Sequence, residues 1–382
     1  MVAYSTVAMF VVLMTWMSTR TLSRVSGPAM AYAGATTEGQ VSSEQPKRGP
    51  LTRWTVFDAI AVVTLVCFSA IRWNVGTDFP MYQRDYIKID PTYWDYFLQN
   101  TDQEYGYTWL SLALKTVSGS PHLIFWVTSI LTVVPIYATI KKCSINPTLA
   151  VALYIGLAFF VTPFNIVRQG VAIAILMYAA TFIKDKKWVF ATLSVLAAAF
   201  HMSAVVVAVI MYTTVRAKPT AQKALWLLAF GVFAAFAFPR IGFITEFINY
   251  LNPRYEIYLV PHGAGIGTFL VIAVRIALVM YAIYLGSKLG GFGADRIFAM
   301  WSSIGLVFLI LGTQAVVWAR MEYYFGIFLV LLVPNMIAKY RAIDKRHADL
   351  ASIALYLGAA VYLTFYVQRF ANLLPYQTWV TF

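Results

Sequence analysis

The sequence predicts an all-α, polytopic integral membrane protein of about twelve transmembrane helices, and three observations predict it. Apolar residues make up 60% of the 382 residues and charged ones only 12%. The mean hydropathy is +0.70. Runs of 16 to 20 apolar residues recur along the whole chain, and a hydrocarbon core of about 30 Å takes about 20 helical residues to cross. The strict alternation of an outer-membrane barrel is absent.

Taken in order, the spans are expected at 2–19, 54–71, 121–140, 147–163, 166–183, 188–202, 203–215, 224–241, 267–286, 297–316, 321–338 and 349–367. The first has no basic residue before it and carries Arg20 and Arg24 after it, which favours a signal-anchor with its N-terminus outside over a cleaved signal peptide. Residues 20–53 are rich in Gly, Ser, Thr, Ala and Pro and read as a flexible cytoplasmic linker, a tether or a regulatory tail. Residues 54–382 form the polytopic domain, with external segments at 72–120 and 242–266. In the first of these, Phe79, Tyr82, Tyr86 and Ile89 are spaced by three and four. That apolar stripe predicts a short amphipathic helix lying in the outer interface. The junctions near 163–166 and 201–203 leave almost no loop, so either pair of segments could be re-entrant. The "GAGIG" of the second external segment follows no strand and is not read as a phosphate loop.

Orientation follows from charge. Segments 20–53, 141–146, 184–187, 216–223, 287–296 and 339–348 hold 19 of the 29 lysines and arginines, so they are placed in the cytoplasm. This asymmetry accounts for most of the net charge of +13, and no nucleic-acid partner is needed to explain it. Cys67 and Cys143 lie near opposite faces and in no metal-ligand spacing. Histidine clusters and H-E-x-x-H are absent. The single Asp102-Gln103-Glu104 run is too slight a signal, so neither a metal nor a cofactor is predicted.

Against this background the outward cations stand out: Arg72, Arg168, Arg240, Arg254, Arg320 and Arg369. Any one of them could snorkel to the surface. Asn165, Arg168, Gln169 and Ala172, however, are spaced i, i+3, i+4 and i+7 and share one helical face. Arg320 repeats the pattern with Tyr323 and Tyr324. Several guanidinium forks converging on one crevice need an anion, and they suit phosphate oxygens. The carboxylates Asp78, Glu104, Glu246, Glu256 and Glu322 fall on the same side. Asp78 also fits the N-cap of the helix containing Pro80, and Glu104 could simply pair with an arginine. His201 is a lone imidazole at an outer helix end. Arg275, deep in its span, should face the bundle and pair with a carboxylate or a carbonyl.

Taken together, "IRWNVGTDFPMYQRDY" (Arg72, Gly76, Asp78, Tyr82), "EYGYTWL" (Glu104, Gly106, Tyr107), "FNIVRQGVAIAI" (Asn165, Arg168, Gln169), "FHMSAVV" (His201), "PRYEIYL" (Arg254, Tyr255), "ARMEYYF" (Arg320) and "LLPYQTW" resemble, in order, the motifs of the EpsG family of Wzy-type polysaccharide polymerases. The resemblance covers roughly 55–382, and the segment 20–53 departs from it. It implies a GT-C-like glycosyltransferase of the bacterial plasma membrane whose site faces the periplasm or exterior. Such an enzyme moves a growing glycan from undecaprenyl diphosphate onto the non-reducing end of a lipid-linked repeat unit, in company with a chain-length regulator. Arg168, Arg254 and Arg320 would hold the diphosphate with Arg72 nearby, and Asn165, Gln169, Tyr82 and Tyr255 would line the substrate site. An imidazole titrates close to neutrality, so His201 is assigned the proton, with Asp78 and Glu104 organising the cations. Trp73, Trp94, Tyr105, Tyr107 and Trp109 could stack on sugars or form an interfacial belt. A glycan ligase of the same chemistry and a flippase for lipid-linked oligosaccharide are the alternatives. A membrane O-acyltransferase lacks its Arg/His signature here.

Overall fold

The computed structural model describes residues 1–26, 53–101, 103–217, 219–237 and 265–380. Among these the secondary structure is helical, apart from one isolated antiparallel bridge between Arg72 and Thr378. The chain divides into two units, residues 1–209 with 350–382, and residues 210–349.

The first unit is built around α1 (Val2–Ser26), α2 (Val56–Ala70), α6 (His122–Cys143), α7 (Pro147–Gly156), α8 (Val167–Ala179) and α9 (Lys187–Phe200). On α1 the buried residues Tyr4, Val11, Thr15, Ser18 and Leu22 recur at helical spacing, so one face packs on α2 and α7. The opposite face exposes Val2, Met9, Leu13 and Trp16. The helix continues to Ser26, into the segment expected to be linker, whose residues 27–52 lie outside the described set. All ten residues of α7 are buried, as expected of a helix that is apolar on every side.

At one end of this unit α2 begins with a capping box, in which Thr55 and Asp58 exchange hydrogen bonds. Asp58 is fully buried and accepts from Ser18 at 2.6 Å and Tyr137 at 2.9 Å, while Lys141 stands 3.1 Å away. One carboxylate therefore ties α1, α2 and α6 together.

Residues 72–120, the segment expected to be external, hold α3 (Phe79–Lys88), α4 (Trp94–Gln99) and α5 (Tyr105–Val117). The apolar stripe of α3 does not lie against lipid as expected. Phe79, Tyr82 and Tyr86 are at most 3% exposed. Phe79 stacks on Phe125 at 4.5 Å, and Tyr82 meets Tyr107 edge-on at 5.7 Å. The stripe is covered by α5 and α6 because rings of that size bury more area against protein aromatics than an interfacial position offers.

The second unit contains α11 (Ala221–Ala237), α12 (Ile266–Lys288), α13 (Arg296–Leu311), α14 (Val316–Gly326) and α15 (Leu329–Tyr340). Here α13 lies close on α14: a Cβ on Gly305 would come 3.0 Å from the Gly326 nitrogen. Arg275 and Glu322, each 3% exposed, face one another at 3.5 Å, the buried pairing anticipated for Arg275. The short α10 (Ser203–Thr214) and the long α16 (Lys345–Arg369) complete the described helices.

The protein is a helical membrane protein, but the count of twelve spans is not supported. Six described segments are long and apolar enough to cross: Val2–Ser23, His122–Cys143, Gly267–Lys288, Gly293–Leu311, Val316–Tyr340 and Lys345–Arg369. Several of the other expected spans are shorter helices among the described residues. At about 1.5 Å per residue, the 10, 13, 14 and 12 residues of α7, α8, α9 and α10 fall short of the hydrocarbon thickness. Hydropathy counts apolar residues, whereas continuity fails at Ala158, whose φ is +66°, at Pro163, and at His201.

Removing the ammonium from the Asp58 cluster should leave an uncompensated buried carboxylate, at a cost of about 3–5 kcal/mol. Lys141→Met should therefore lower the unfolding midpoint of the detergent-purified protein steeply, and Lys141→Met with Asp58→Asn should recover part of the loss. Thermal unfolding followed by size-exclusion chromatography measures both.

Candidate active site

Three helix ends meet in the first unit. After α7 the chain turns through Ala158 and a 3-10 turn at Thr162–Phe164 containing Pro163, and α8 starts afresh at Val167. Gly170 lets this first turn close on the proline; a Cβ there would stand 2.6 Å from the Pro163 Cβ. The break puts Asn165, Arg168 and Gln169 at the mouth of α8 and not along a continuous span. α9 ends at His201, whose extended backbone (φ −159°, ψ 116°) separates it from α10. Glu104 is the N-cap residue of α5. Gly106 allows α5 to lie directly on α9, since a Cβ would come 2.6 Å from the Ala199 carbonyl oxygen. That close approach carries Glu104 to His201.

The result is a carboxylate shared by two cationic or ionisable partners. Arg168 donates from Nη1 to Glu104 Oε2, and His201 Nδ1 lies 2.5 Å from Glu104 Oε1. All three side chains are between 16% and 21% exposed. Burial alone would raise the Glu104 carboxyl, but the hydrogen bond from His201 and the charge of Arg168 outweigh it and hold the group below its usual range. An ionised carboxylate can only accept, so a hydrogen sits on His201 Nδ1; when the ring is neutral, the lone pair is therefore on Nε2.

The other predicted residues fall at graded distances from this centre. Tyr82 hydrogen-bonds the Arg168 guanidinium, and burial raises its hydroxyl despite that cation. Asn165 Oδ1 accepts from Thr77 N at 2.6 Å and from Thr77 Oγ1 at 2.9 Å. It thereby fixes the turn before α3, where Gly76 has a φ of +101°. Asp78 occupies the N-cap of α3, half-buried, without a capping hydrogen bond, and its charge is felt at Tyr82. Gln169 is buried beside Arg168. The Nε of Arg168 is buried with no hydrogen-bond partner among the described residues.

Arg72 is not presented with them. It is 2% exposed and donates to the carbonyl and hydroxyl of Ser69. The faces of Phe164, Phe125 and Phe79 enclose it at 4.5, 5.0 and 6.0 Å. Burial pushes it down to about 10, so it remains a cation at neutral pH. Behind it the C-terminal segment is laced on: Trp73 N donates to Gln377 O at 2.8 Å and Gly76 N to Asn372 O at 3.0 Å. Arg320 lies half-buried on α14 of the second unit. Arg254 and Tyr255 lie outside the described residues.

Sequence reasoning allowed an arginine for Glu104 without naming which, and it missed the His201 contact. The partners are 64 and 97 residues distant, and no local spacing carries that information. Thr77 was missed for the same reason.

The sequence model of the EpsG family matches residues 55–378, a stretch that contains every member of this cluster. No curated protein and no solved structure matches the chain. The expected GT-C-like architecture has no support from that quarter.

The depressed Glu104 carboxyl makes a signed prediction. A carboxylate whose folded value is lowered stabilises the fold above its unfolded range, and the contribution disappears as pH falls through the folded value. At neutral pH, Glu104→Gln should unfold more easily than wild type by about 1.5–3 kcal/mol, the worth of a charge-assisted hydrogen bond. That gap should close as the pH is taken below the carboxylate range in a titrated thermal-unfolding series.

Proposed function

The chain belongs to the EpsG family, and from that premise we propose that it is a membrane glycosyltransferase that polymerises polyprenyl-diphosphate-linked oligosaccharides. The donor is a growing glycan on undecaprenyl diphosphate, and the acceptor is the non-reducing end of a second lipid-linked repeat unit. The site faces the outer leaflet, consistent with the concentration of basic residues in the segments assigned to the cytoplasm. The observation that carries the reading is the Glu104 carboxylate held between Arg168 and His201 within the family-matched region.

Chemically, the acceptor hydroxyl attacks the anomeric carbon, and the bond from that carbon to the diphosphate oxygen breaks with its electron pair leaving on the diphosphate. The acceptor proton passes to Nε2 of His201, whose ring Glu104 orients through Nδ1 and whose positive charge, once the proton is taken, Glu104 stabilises. This is the division of labour of a base and its orienting carboxylate. Negative charge grows on the leaving diphosphate, where a preorganised guanidinium lowers the barrier most. Arg168, with its unmatched buried Nε and its position fixed by Glu104 and Tyr82, is the residue for that task. Asn165 holds the turn before α3, Asp78 adds its charge beside Tyr82, and Arg72 supports them from beneath through its three phenyl contacts. Gln169 lines the site beside Arg168, and the family resemblance alone assigns Arg254, Tyr255 and Arg320 to the diphosphate.

Reconstituted protein supplied with lipid-linked repeat units tests the assignment. His201→Ala should reduce turnover about 10²- to 10⁴-fold. Arg168→Lys should also lose most activity, because the charge survives but the planar fork does not. Near-normal turnover by His201→Ala, or full polymer production by Arg168→Ala, would remove that residue from the mechanism.

A further inference from the structure

We propose that the exposed aromatic surface of α4 and α5 is an oligosaccharide subsite that grips the glycan several sugars away from the reacting bond; this rests on the polymerase reading and extends it outward from Glu104. Five large rings are exposed along this segment, Tyr93, Trp94, Tyr96, Tyr105 and Trp109, each between 51% and 66%. The indoles of Trp94 and Trp109 lie 5.9 Å apart at 31° and make a two-ring shelf. Tyr105 follows Glu104 directly and stands one helical turn from Trp109, so the shelf starts where the proposed chemistry ends. Tyr107, by contrast, is 2% exposed and turns into the fold.

Two occupants suit exposed tryptophans, a lipid interface and a sugar. Charge separates them. Interfacial helices carry lysine and arginine to meet anionic headgroups, yet residues 89–114 contain neither, and Asp90, Asp95, Asp102 and Glu104 all fall within them. Polar groups sit among the rings. Gln99 donates to Asp95 at 2.9 Å and Asn100 to the Tyr96 carbonyl at 2.9 Å, with all three side chains at the surface. A pyranose presents exactly that mixture: C–H bonds of partial positive charge for the negative face of an indole, and hydroxyls for carboxylate and carboxamide. Because the segment is acidic, the matching glycan is neutral or carries amino groups; a polyanionic glycan would be repelled.

Binding without turnover provides the test. The protein is placed in nanodiscs and titrated with oligosaccharides of graded length, released by mild acid from the polysaccharide of cells expressing this chain, with binding followed by isothermal titration calorimetry. Wild type should show a saturable change that grows stronger with oligosaccharide length. Trp94→Ala with Trp109→Ala should weaken it roughly tenfold or more, as truncating paired aromatic anchors does. Trp94→Phe with Trp109→Phe should retain most of the binding, since a stacking face is kept, which separates loss of the shelf from loss of the fold. A parallel set of nanodiscs contains lipids brominated near the headgroup. Bromine quenching of the part of the tryptophan emission that Trp94→Phe with Trp109→Phe removes, with no binding of any oligosaccharide, identifies a lipid belt and overturns the proposal. A wild-type protein that binds the oligosaccharides but never joins lipid-linked units contradicts the polymerase reading and leaves the subsite standing.

Discussion

The Glu104 carboxylate is the joint on which the candidate site depends. It closes the N-terminus of α5 onto the mouth of α8 through Arg168 and onto the end of α9 through His201. A half-buried carboxylate with a single weak partner would be driven toward its neutral form. Two strong partners keep it ionised, and the ionised form in turn dictates that His201 carries its hydrogen on Nδ1. One group thus positions a guanidinium and selects a tautomer at once. The close approach permitted at Gly106 makes this possible.

The same region explains why the spans are short. Polar side chains are costly in the middle of a membrane helix, and this fold places its cluster at helix ends. Pro163 and the positive φ of Ala158 end one helical segment, and the extended backbone at His201 ends another. The continuous, fully apolar helices lie beside these breaks and are buried, as α7 is. Beneath the cluster, Arg72 faces Phe79 of α3, Phe125 of α6 and Phe164 of the turn before α8. It links the three elements that carry or support Tyr82, Asn165 and Arg168.

Much of this was legible in the sequence, and the losses have definite causes. Hydropathy identifies a helical membrane protein because apolar runs of this length have few other uses. The almost loopless junctions at 163–166 and 201–203 mark the breaks that matter, and the shared face of Asn165, Arg168 and Gln169 is a local pattern. Span number was misjudged because a hydropathy window does not register a residue such as Ala158 turning the backbone. The stripe of Phe79, Tyr82 and Tyr86 is a true amphipathic face, but periodicity cannot say whether lipid or protein covers it. The Glu104 partnership depends on tertiary contacts across scores of residues, which no spacing rule encodes. Arg72 follows an apolar run and so looks outward in the sequence; its aromatic enclosure comes from Phe79 nearby and from the distant Phe125 and Phe164.

The tautomer of His201 tests the central claim most directly. With only four histidines in the chain, ¹⁵N-histidine labelling in lipid nanodiscs and assignment by His201→Gln make its two ring nitrogens readable by NMR. The account predicts that the neutral His201 ring carries its proton on Nδ1 and its lone pair on Nε2, with that tautomer preference lost in Glu104→Gln. A His201 ring protonated on Nε2 alone, or one indifferent to Glu104→Gln, would contradict it.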